Sequence, residues 1–343
     1  MYPIKSRIKK YKPFVSVCTP TFNRRPFIIN LIKCFNHQDY SKDRMEWIII
    51  DDGTDKIFDL VQHLSNVKYF AYDKKMPLGE KRNLMHEKAK GSILVYMDDD
   101  DYYPPTRVSH AVEKLLANPQ ALCAGSSEIY IYFNHVNKMY QFGPYGPNHA
   151  TAGTFAFKRE LLNDHSYENT AALAEEKAFL KNYTVPFVQL DPLQCILVFS
   201  HQHNTFDKKK LLNIYNSFIK ESSKTVDMFI KENDIKDFYM NKIESLLLNY
   251  PPGNPEMKPD VIKQTLELEE RNKQLTEDQN QNQNQNILHI IMQQENLPPK
   301  ILTNEEILHI LQQQKNEIDN LLQQIKGKDL EIDLLSKQLN LYC

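Results

Sequence analysis

The chain has 343 residues and a formal net charge of −2, and its composition is that of an ordinary globular protein, with 41% hydrophobic and 25% charged residues. This length is enough for one large domain or two modest ones. The balanced charge lacks the basic surplus of nucleic-acid-binding proteins, so no nucleic acid is expected as a partner.

No apolar run is long enough to cross a bilayer, and the basic lead at residues 1–12 is not followed by an apolar signal segment. We therefore expect a cytoplasmic protein without a transmembrane segment. Peripheral attachment to a membrane and packaging in a virion are left open. The five cysteines, Cys18, Cys34, Cys123, Cys195 and Cys343, form no CxxC pair, and we expect buried free thiols.

Buried strands and helices alternate over the first third of the chain. The apolar runs predict strands at residues 14–18, 45–50, 67–72 and 92–97. Helical spacing predicts helices at residues 26–35, 57–64, 79–90 and 106–117. This order predicts an α/β fold with a mostly parallel central sheet and flanking helices. Ligands of such sheets bind at the carboxyl ends of the strands.

The middle of the chain has a mixed pattern. A hairpin is predicted at residues 129–133 and 139–142, and a helix at residues 171–180. Residues 208–250 have the pattern of an amphipathic helical stretch.

The last third changes character. Residues 251–259 (PPGNPEMKP) have a linker composition, and residues 280–286 (NQNQNQN) are of low complexity. Apolar residues then recur every seven positions, at Leu311, Ile318, Ile325, Ile332 and Leu339. This heptad pattern predicts a coiled coil that joins copies of the chain as a homo-oligomer, and a helix docked on its own domain is the alternative.

Five segments result from these patterns. They are a basic lead at 1–12, the α/β domain at 13–207, a helical extension at 208–250, a linker with a low-complexity stretch at 251–300, and a coiled coil at 301–343.

Four consecutive carboxylates, Asp98 to Asp101, follow the fourth predicted strand. Like charges about 4 Å apart repel by roughly 4 kcal/mol per pair at an effective dielectric constant near 20, and a divalent cation removes that penalty. Side chains alternate along a strand, so Asp98 and Asp100 point to the same side and suit Mn²⁺ or Mg²⁺. A solvated acidic turn is the alternative.

Two further groups lie at the same expected edge. Asp51 and Asp52 follow the second strand and suit a ribose hydroxyl or a base N–H, although a simple Asp-Asp-Gly turn is equally compatible. The helix that opens at Gly79 carries Lys81 and Arg82, which suit a diphosphate, although a solvated helix face is the alternative.

The motifs VSVCTPTFNR, IIIDDG, GEKRN and YMDDDDYYPPTRV, in this order, resemble glycosyltransferase family 2 over roughly residues 13–205. The resemblance implies a GT-A fold, a nucleotide-sugar donor, and Asp100 as the strongest metal ligand with Asp98 beside it. It implies donor-binding roles for a set of residues in the four motifs: Thr19, Pro20, Thr21, Arg24, Asp51, Asp52, Gly79, Lys81, Arg82, Asp98 and Asp99.

The family's Glu-Asp pair corresponds to Glu175-Glu176 here, and the resemblance implies that Glu176 or Glu175 is the general base. Exposed helix glutamates are the alternative. The segment HQHNT implies a metal or diphosphate contact by His203, or less favourably by His201. His149, in a Gly/Pro-rich loop, is a candidate acceptor contact.

The resemblance implies transfer of a sugar, from a UDP-sugar in our interpretation, to a glycan, protein or small-molecule acceptor with inversion. The Q-x-x-R-W motif of processive synthases is absent, which favours single transfers. Two alternatives are a catalytically inactive sugar- or nucleotide-binding scaffold that acts through its coiled coil, and a sugar nucleotidyltransferase. The second is disfavoured because residues 19–24 contain no glycine.

Overall fold

The computed structural model describes residues 12–173, 176–213, 216–285, 291–292 and 300–339. They belong to two compact units, Met1–Glu269 and Glu270–Cys343. The strands are β1 (Val15–Thr21), β2 (Met45–Asp51), β3 (Val67–Ala71), β4 (Ile93–Tyr96), β5 (Cys123–Gly125), β6 (Ile129–Phe133), β7 (Lys138–Phe142), β8 (Ala156–Lys158), β9 (Phe187–Gln189), β10 (Val198–Ser200), β11 (Ile219–Glu221), β12 (Ile291–Met292) and β13 (Lys300–Ile301). The helices are α1 (Arg25–Asn36), α2 (Phe58–Val61), α3 (Leu78–Lys88), α4 (Arg107–Ala117), α5 (Glu176–Phe179), α6 (Val226–Phe229), α7 (Asn233–Asp237), α8 (Ile243–Leu248), α9 (Pro259–Gln285) and α10 (Asn304–Leu339).

A seven-stranded sheet in the order β3-β2-β1-β4-β8-β5-β9 forms the centre of the first unit. The first four strands in that order are parallel, and β8 runs antiparallel to both of its neighbours. Every residue of β1, β2 and β4 is buried, as expected for a sheet covered on both faces. The predicted α/β class, with a mostly parallel sheet and flanking helices, is confirmed.

Two apolar layers cover the sheet. Along β2, Trp47 and Ile49 pack into one hydrophobic cluster, whereas Ile48 and Ile50 pack into the other. This follows from the alternation of side chains along a strand. The cysteines Cys18, Cys34, Cys123 and Cys195 are buried and free, as predicted, and Cys343 lies outside the described residues.

A second sheet in the order β10-β6-β7-β11 stands beside the first. The predicted hairpin of β6 and β7 is confirmed. Residues 208–250, which we predicted as helical throughout, contain β11, which pairs antiparallel with β7, and only short helices. Pairing with a neighbouring strand overrides helical periodicity in so short a segment.

The predicted linker at 251–300 also differs from the structure. Two 3₁₀ turns occupy residues 251–257, and the long helix α9 then runs through most of the Asn/Gln repeat. Residues 260–285 contain neither Gly nor Pro, and Gln is a good helix former, so low complexity did not prevent a helix here. The first unit extends to Glu269, well past the predicted domain end at 207.

The second unit contains α10, a continuous helix over most of the predicted coiled-coil segment. Within the described ranges, none of the helices combines the length and apolar character that a membrane span requires.

Candidate active site

A pocket of about 430 Å³ lies at the carboxyl edge of the parallel strands. Four parts of the chain supply its walls: the loop after β1, the start of α3, the turn after β4, and several residues from the second half of the first unit. The side chains that line it and bear on chemistry are Pro20, Arg24, Lys75, Lys81, Arg82, Asp98, Asp99, Asp100, Asp101, Glu176, Lys208, Lys258 and Asp260.

Side chains from other segments hold the turn of Asp98 to Asp101 and the strand that precedes it. The backbone N–H of Asp98 donates to the Tyr103 hydroxyl oxygen at 2.6 Å. The fully buried Arg107 donates to the carbonyl oxygens of Tyr96, Thr154 and Phe155. The predicted acidic turn is therefore a fixed part of the pocket wall, and Asp99, Asp100 and Asp101 are buried.

Arg24 is the main counter-ion of this turn. Its Nε lies 3.3 Å from Asp99 Oδ1, and its Nη2 lies 3.3 Å from Asp100 Oδ2. The residue is 3% exposed, and its Nη1 has no hydrogen-bond partner among the described residues. A buried guanidinium nitrogen without a partner is costly, so the pocket wall is suited to receive an anion at this point.

His201 contacts the same aspartate. Its Nε2 lies 3.2 Å from Asp100 Oδ2, and its Nδ1 accepts the backbone N–H of His203. Burial lowers the pKa of His201 to about 3, although Asp100 acts in the opposite direction. Burial also opposes ionisation of Asp100, but Arg24 and His201 hold its pKa well below the usual value. Burial and the adjacent Asp100 raise the pKa of Asp99. The surroundings therefore favour the ionised form of Asp100 and oppose ionisation of its neighbour Asp99.

The predicted metal site can be compared with the ligands that a divalent cation prefers. Asp98, Asp99 and Asp100 offer the hard oxygen ligands that Mg²⁺ and Mn²⁺ prefer. Within the parts of the chain that the structure describes, no three His, Cys, Asp or Glu side chains are grouped so as to hold a metal ion. The chemistry of the carboxylates fits a divalent cation, and a cation at Asp100 would share this residue with Arg24.

Asp51 and Asp52 do not line the pocket. Asp51 accepts hydrogen bonds from the backbone of Gly53 and Ile57 and from the Tyr69 hydroxyl, so both of its oxygens are occupied. Asp52 accepts the backbone N–H of Met76 at 2.6 Å and the ammonium of Lys81 at 2.8 Å. Asp52, which we predicted to bind the nucleobase or the ribose, therefore positions Lys81 in this structure. Lys81 does line the pocket.

The start of α3 fits tightly against a neighbouring loop. A Cβ on Gly79 would lie 2.1 Å from the Glu168 carbonyl oxygen, so the glycine permits close packing and is not itself on the pocket wall. Arg82 lies over the rings of Tyr96 and Tyr167, with centroid distances of 4.8 and 5.3 Å. These rings hold the guanidinium in place on the pocket wall.

At the end of β1, Pro20 lines the pocket but Thr19 and Thr21 do not. The Thr19 hydroxyl donates to the Met97 carbonyl oxygen at 2.6 Å and accepts the Trp47 indole N–H at 2.9 Å. Thr19 therefore ties the central strands together, and Thr21 is buried at the last residue of β1.

Glu176 begins the single-turn helix α5, is half-buried and lines the pocket. Glu175 lies outside the described residues. The predicted helix at 171–180 is much shorter in the structure, but it leaves one of the two candidate bases on the pocket wall.

The two remaining histidine predictions have different outcomes. His203 is 1% exposed, and neither it nor His201 lines the pocket. His201, the less favoured of the two in our interpretation, is the one that contacts Asp100. His149 is half-buried between Tyr145 and Tyr183, at ring distances of 4.8 and 4.9 Å, a few residues before the pocket residues that begin at Thr151.

The charged pocket residues Lys75, Lys258 and Asp260 escaped sequence reasoning. Lys258 lies within the segment whose composition is that of a linker, Asp260 follows it, and no local pattern marks either residue. Only the folding of residues 250–264 onto the domain brings them to the site.

The chain is similar in sequence to known glycosyltransferases. Residues 16–182 match the family described as glycosyl transferase family 2. An uncharacterised glycosyltransferase of Haemophilus influenzae is 22% identical over 242 residues, which cover 65% of this chain and 90% of that protein. The GalNAc(5)-diNAcBac-PP-undecaprenol beta-1,3-glucosyltransferase of Campylobacter jejuni is 38% identical over 96 residues, which cover 26% of this chain and only 30% of that enzyme. The crystal structure of residues 1–349 of TarS from S. aureus has 20% identity and a TM-score of 0.46, and covers 54% of this chain and 60% of that one.

Proposed function

We propose that this chain, which belongs to glycosyl transferase family 2 through residues 16–182, transfers a sugar from a nucleoside-diphosphate donor to an acceptor hydroxyl group with inversion of configuration. The observation that carries the proposal is the position of Arg24. A guanidinium with a buried nitrogen that has no hydrogen-bond partner in the described part of the chain lies at the carboxyl edge of a parallel sheet, beside an ionised aspartate.

The donor's diphosphate is the leaving group, and its departure develops negative charge. Arg24, Lys81 and Arg82 line one pocket and supply cations to that charge. Their positions are set in advance by Asp100, by Asp52 and by two tyrosine rings respectively. Preorganised cations of this kind stabilise a charged transition state without reorganisation at the moment of reaction.

Metal dependence is part of the proposal. A Mn²⁺ or Mg²⁺ ion bound by Asp98 and Asp100 would neutralise charge on the diphosphate oxygens. Such an ion suits the oxygen ligands of the turn, and Asp100 remains ionised because Arg24 and His201 favour its charged form.

Glu176 is proposed as the general base. It lines the same pocket as the cations, on the segment after Ala172 and Leu173. In the transfer, the acceptor oxygen forms a bond to the anomeric carbon as the bond from that carbon to the diphosphate oxygen breaks. The hydroxyl proton passes to the Glu176 carboxylate. One displacement from the face opposite the leaving group inverts the configuration.

The donor is proposed to be a UDP-sugar, and the acceptor a glycan, a protein or a small molecule. The relatives support a sugar transferase, since one is named as a glucosyltransferase and another, TarS, as an N-acetylglucosaminyltransferase. Apolar side chains of Ile129, Ile131, Ile196 and Val198 also line the pocket and shape the space that the charged groups leave.

We also propose that α10 mediates self-association. Leu311, Ile318, Ile325 and Ile332, which occupy the predicted heptad positions, are each more than half exposed. A row of exposed apolar side chains on one long helix is stabilised by burial against a second copy.

The proposal is tested by turnover of a panel of UDP-sugars and GDP-sugars, with Mn²⁺ and with EDTA, in the wild type and in Asp100→Asn. Asp164→Asn, an exposed aspartate outside the pocket, is the control. We expect Mn²⁺-dependent release of nucleoside diphosphate from the wild type and the control, and loss of at least 100-fold in Asp100→Asn. Binding of sugar nucleotides without any turnover would favour the inactive scaffold instead.

A further inference from the structure

Residues 250–264 lie wholly outside the region that matches the family, yet they are tied to the catalytic domain at several points. The Tyr250 hydroxyl donates to Asp55 Oδ2 at 2.8 Å, and Asn23 Nδ2 donates to the Pro252 carbonyl oxygen at 2.7 Å. These contacts attach the first part of the segment to the loops that follow β1 and β2. We call residues 250–264 the strap.

The other end of the strap is attached across the pocket. Gln264 donates through Nε2 to the Thr170 carbonyl oxygen at 2.6 Å and accepts the Ala172 backbone N–H at 2.9 Å. Between the two attachments, Lys75 Nζ lies 2.5 Å from Asp260 Oδ1. Lys258, Asp260 and Val261 all line the pocket, so the strap forms one of its walls.

Gly253 shows how closely the strap is applied. A Cβ at this position would lie 2.5 Å from His203 Nδ1 and 2.9 Å from the Asn23 carbonyl oxygen. No larger residue fits there without movement of the strap, so its register on the domain is fixed by packing as well as by hydrogen bonds.

Lys258 is the chemically unusual residue of the strap. It is 4% exposed, and its ammonium donates to the His203 carbonyl oxygen at 3.1 Å. Among the described residues this is its one hydrogen-bond partner, although an ammonium has three donors. Burial, together with the nearby Arg24, lowers the pKa of Lys258 well below its usual value. Such a group is stabilised by an anion that takes up the remaining donors.

Arg24, Lys81 and Lys258 thus join Arg82 as buried basic residues on the wall of one pocket. Asp52 pairs with Lys81, and Asp99 and Asp100 pair with Arg24, whereas Lys258 has no carboxylate within salt-bridge distance among the described residues. A doubly charged ligand would supply the counter-charge that the protein does not.

We propose that the strap completes the donor site and that the Lys258 ammonium is a direct ligand of the donor's diphosphate. This inference rests on the proposed function. It adds a binding residue from outside the family-matched region, and it makes the segment after the catalytic domain part of the active site.

The test is calorimetric titration of the full-length chain with UDP and with uridine, each with Mn²⁺ present. The variants are Lys258→Met, which keeps the length of the side chain but removes its charge, and Lys263→Met, which alters an exposed lysine of the strap on α9. We expect Lys258→Met to weaken UDP binding by about 10- to 100-fold, the loss of one hydrogen bond to a charged group. Uridine affinity should be unchanged, and Lys263→Met should match the wild type for both ligands.

The melting temperature of each variant shows that it is folded, and Lys258→Gln carries the same expectation if Lys258→Met does not fold. Equal UDP affinity in the wild type and a folded Lys258 variant would overturn this inference and leave the proposed function intact. A wild-type protein that binds neither UDP nor, in a parallel titration, GDP would overturn the proposed function itself.

Discussion

Asp52 Oδ1 lies 2.8 Å from Lys81 Nζ, and the two side chains are 0% and 7% exposed. Asp52 also accepts the backbone N–H of Met76 at 2.6 Å, so its carboxylate is fully engaged in holding the start of α3 and the lysine that it carries. A residue that the family pattern assigns to the nucleotide thus acts on the pocket through Lys81.

Removal of one partner of this pair should lower the free energy of unfolding more than removal of both. Asp52→Asn leaves a buried ammonium without its counter-ion, and we expect a loss of about 3–5 kcal/mol in the free energy of unfolding. The double variant Asp52→Asn/Lys81→Met should recover most of this loss and still bind UDP at least tenfold more weakly than the wild type. Denaturant unfolding and UDP titration measure the two effects. Wild-type UDP affinity in the double variant would exclude Lys81 from the donor site.

Replacement of the proposed base should separate catalysis from donor binding. In Glu176→Gln we expect kcat to fall by about 10²–10⁴-fold, because a positioned general base contributes that much. The dissociation constant for UDP should stay within twofold, since Glu176 takes its proton from the acceptor. Glu87→Gln, on an exposed face of α3, is the matched control. Glu175→Gln, measured in parallel, decides between the neighbours: a larger loss there than in Glu176→Gln would move the base by one residue.

His86 should make the protein less stable in weak acid. Its Nε2 and the Tyr96 hydroxyl share a hydrogen bond of 2.6 Å, and burial, aided by Arg82, lowers the pKa of His86 to about 3. The unfolded chain binds this proton near pH 6.5, so the stabilisation is complete above that pH and is lost as the pH falls from 6.5 toward 3.

The expected slope for His86 is about 1.4 kcal/mol per pH unit well below pH 6.5, added to that of the other buried histidines. Denaturant unfolding at several pH values between 7.5 and 5, above the range in which most carboxylates titrate, measures it. His86→Gln should reduce the slope by about 1.4 kcal/mol per pH unit, which is the contribution of one proton. An identical slope in this variant would show that His86 does not titrate as its burial requires.

The heptad seam should be required for self-association. Ile318→Asp with Ile325→Asp places two charges on the seam, and we expect it to convert the oligomer to a monomer. Asn316→Asp with Gln323→Asp adds the same charge on the opposite face of α10 and should leave the oligomer intact. Sedimentation velocity of the full-length chain measures the mass. A monomeric wild type, or equal masses for both variants, would refute the coiled coil.

The core of the fold was predictable because short local sequence patterns indicate its strands. Continuous apolar runs marked the strands that end at Asp51 and Tyr96, and the four aspartates after the latter marked the edge where the pocket lies. Arg24, Lys81, Arg82 and Glu176 could be assigned to the pocket because the family pattern fixes the order of its motifs.

The contacts that complete the site were not predictable, because each joins distant parts of the chain without a local signal. His201 was a candidate from its motif, but its contact with Asp100 was not predicted, and Lys258 lies within a Pro-rich segment whose composition is that of a linker. Asp51 was predicted as a ligand-binding residue, but its two carboxylate oxygens accept hydrogen bonds from the Tyr69 hydroxyl and two backbone N–H groups. Burial and partners of this kind depend on tertiary packing.

A crystal structure of the full-length chain with UDP and Mn²⁺ tests the central claim most directly. The account predicts diphosphate oxygens within hydrogen-bond distance of the Arg24 guanidinium and the Lys81 ammonium, with electron density for a cation at Asp98 and Asp100. A nucleotide bound at another surface, with the Arg24 guanidinium still paired to aspartates alone, would contradict it.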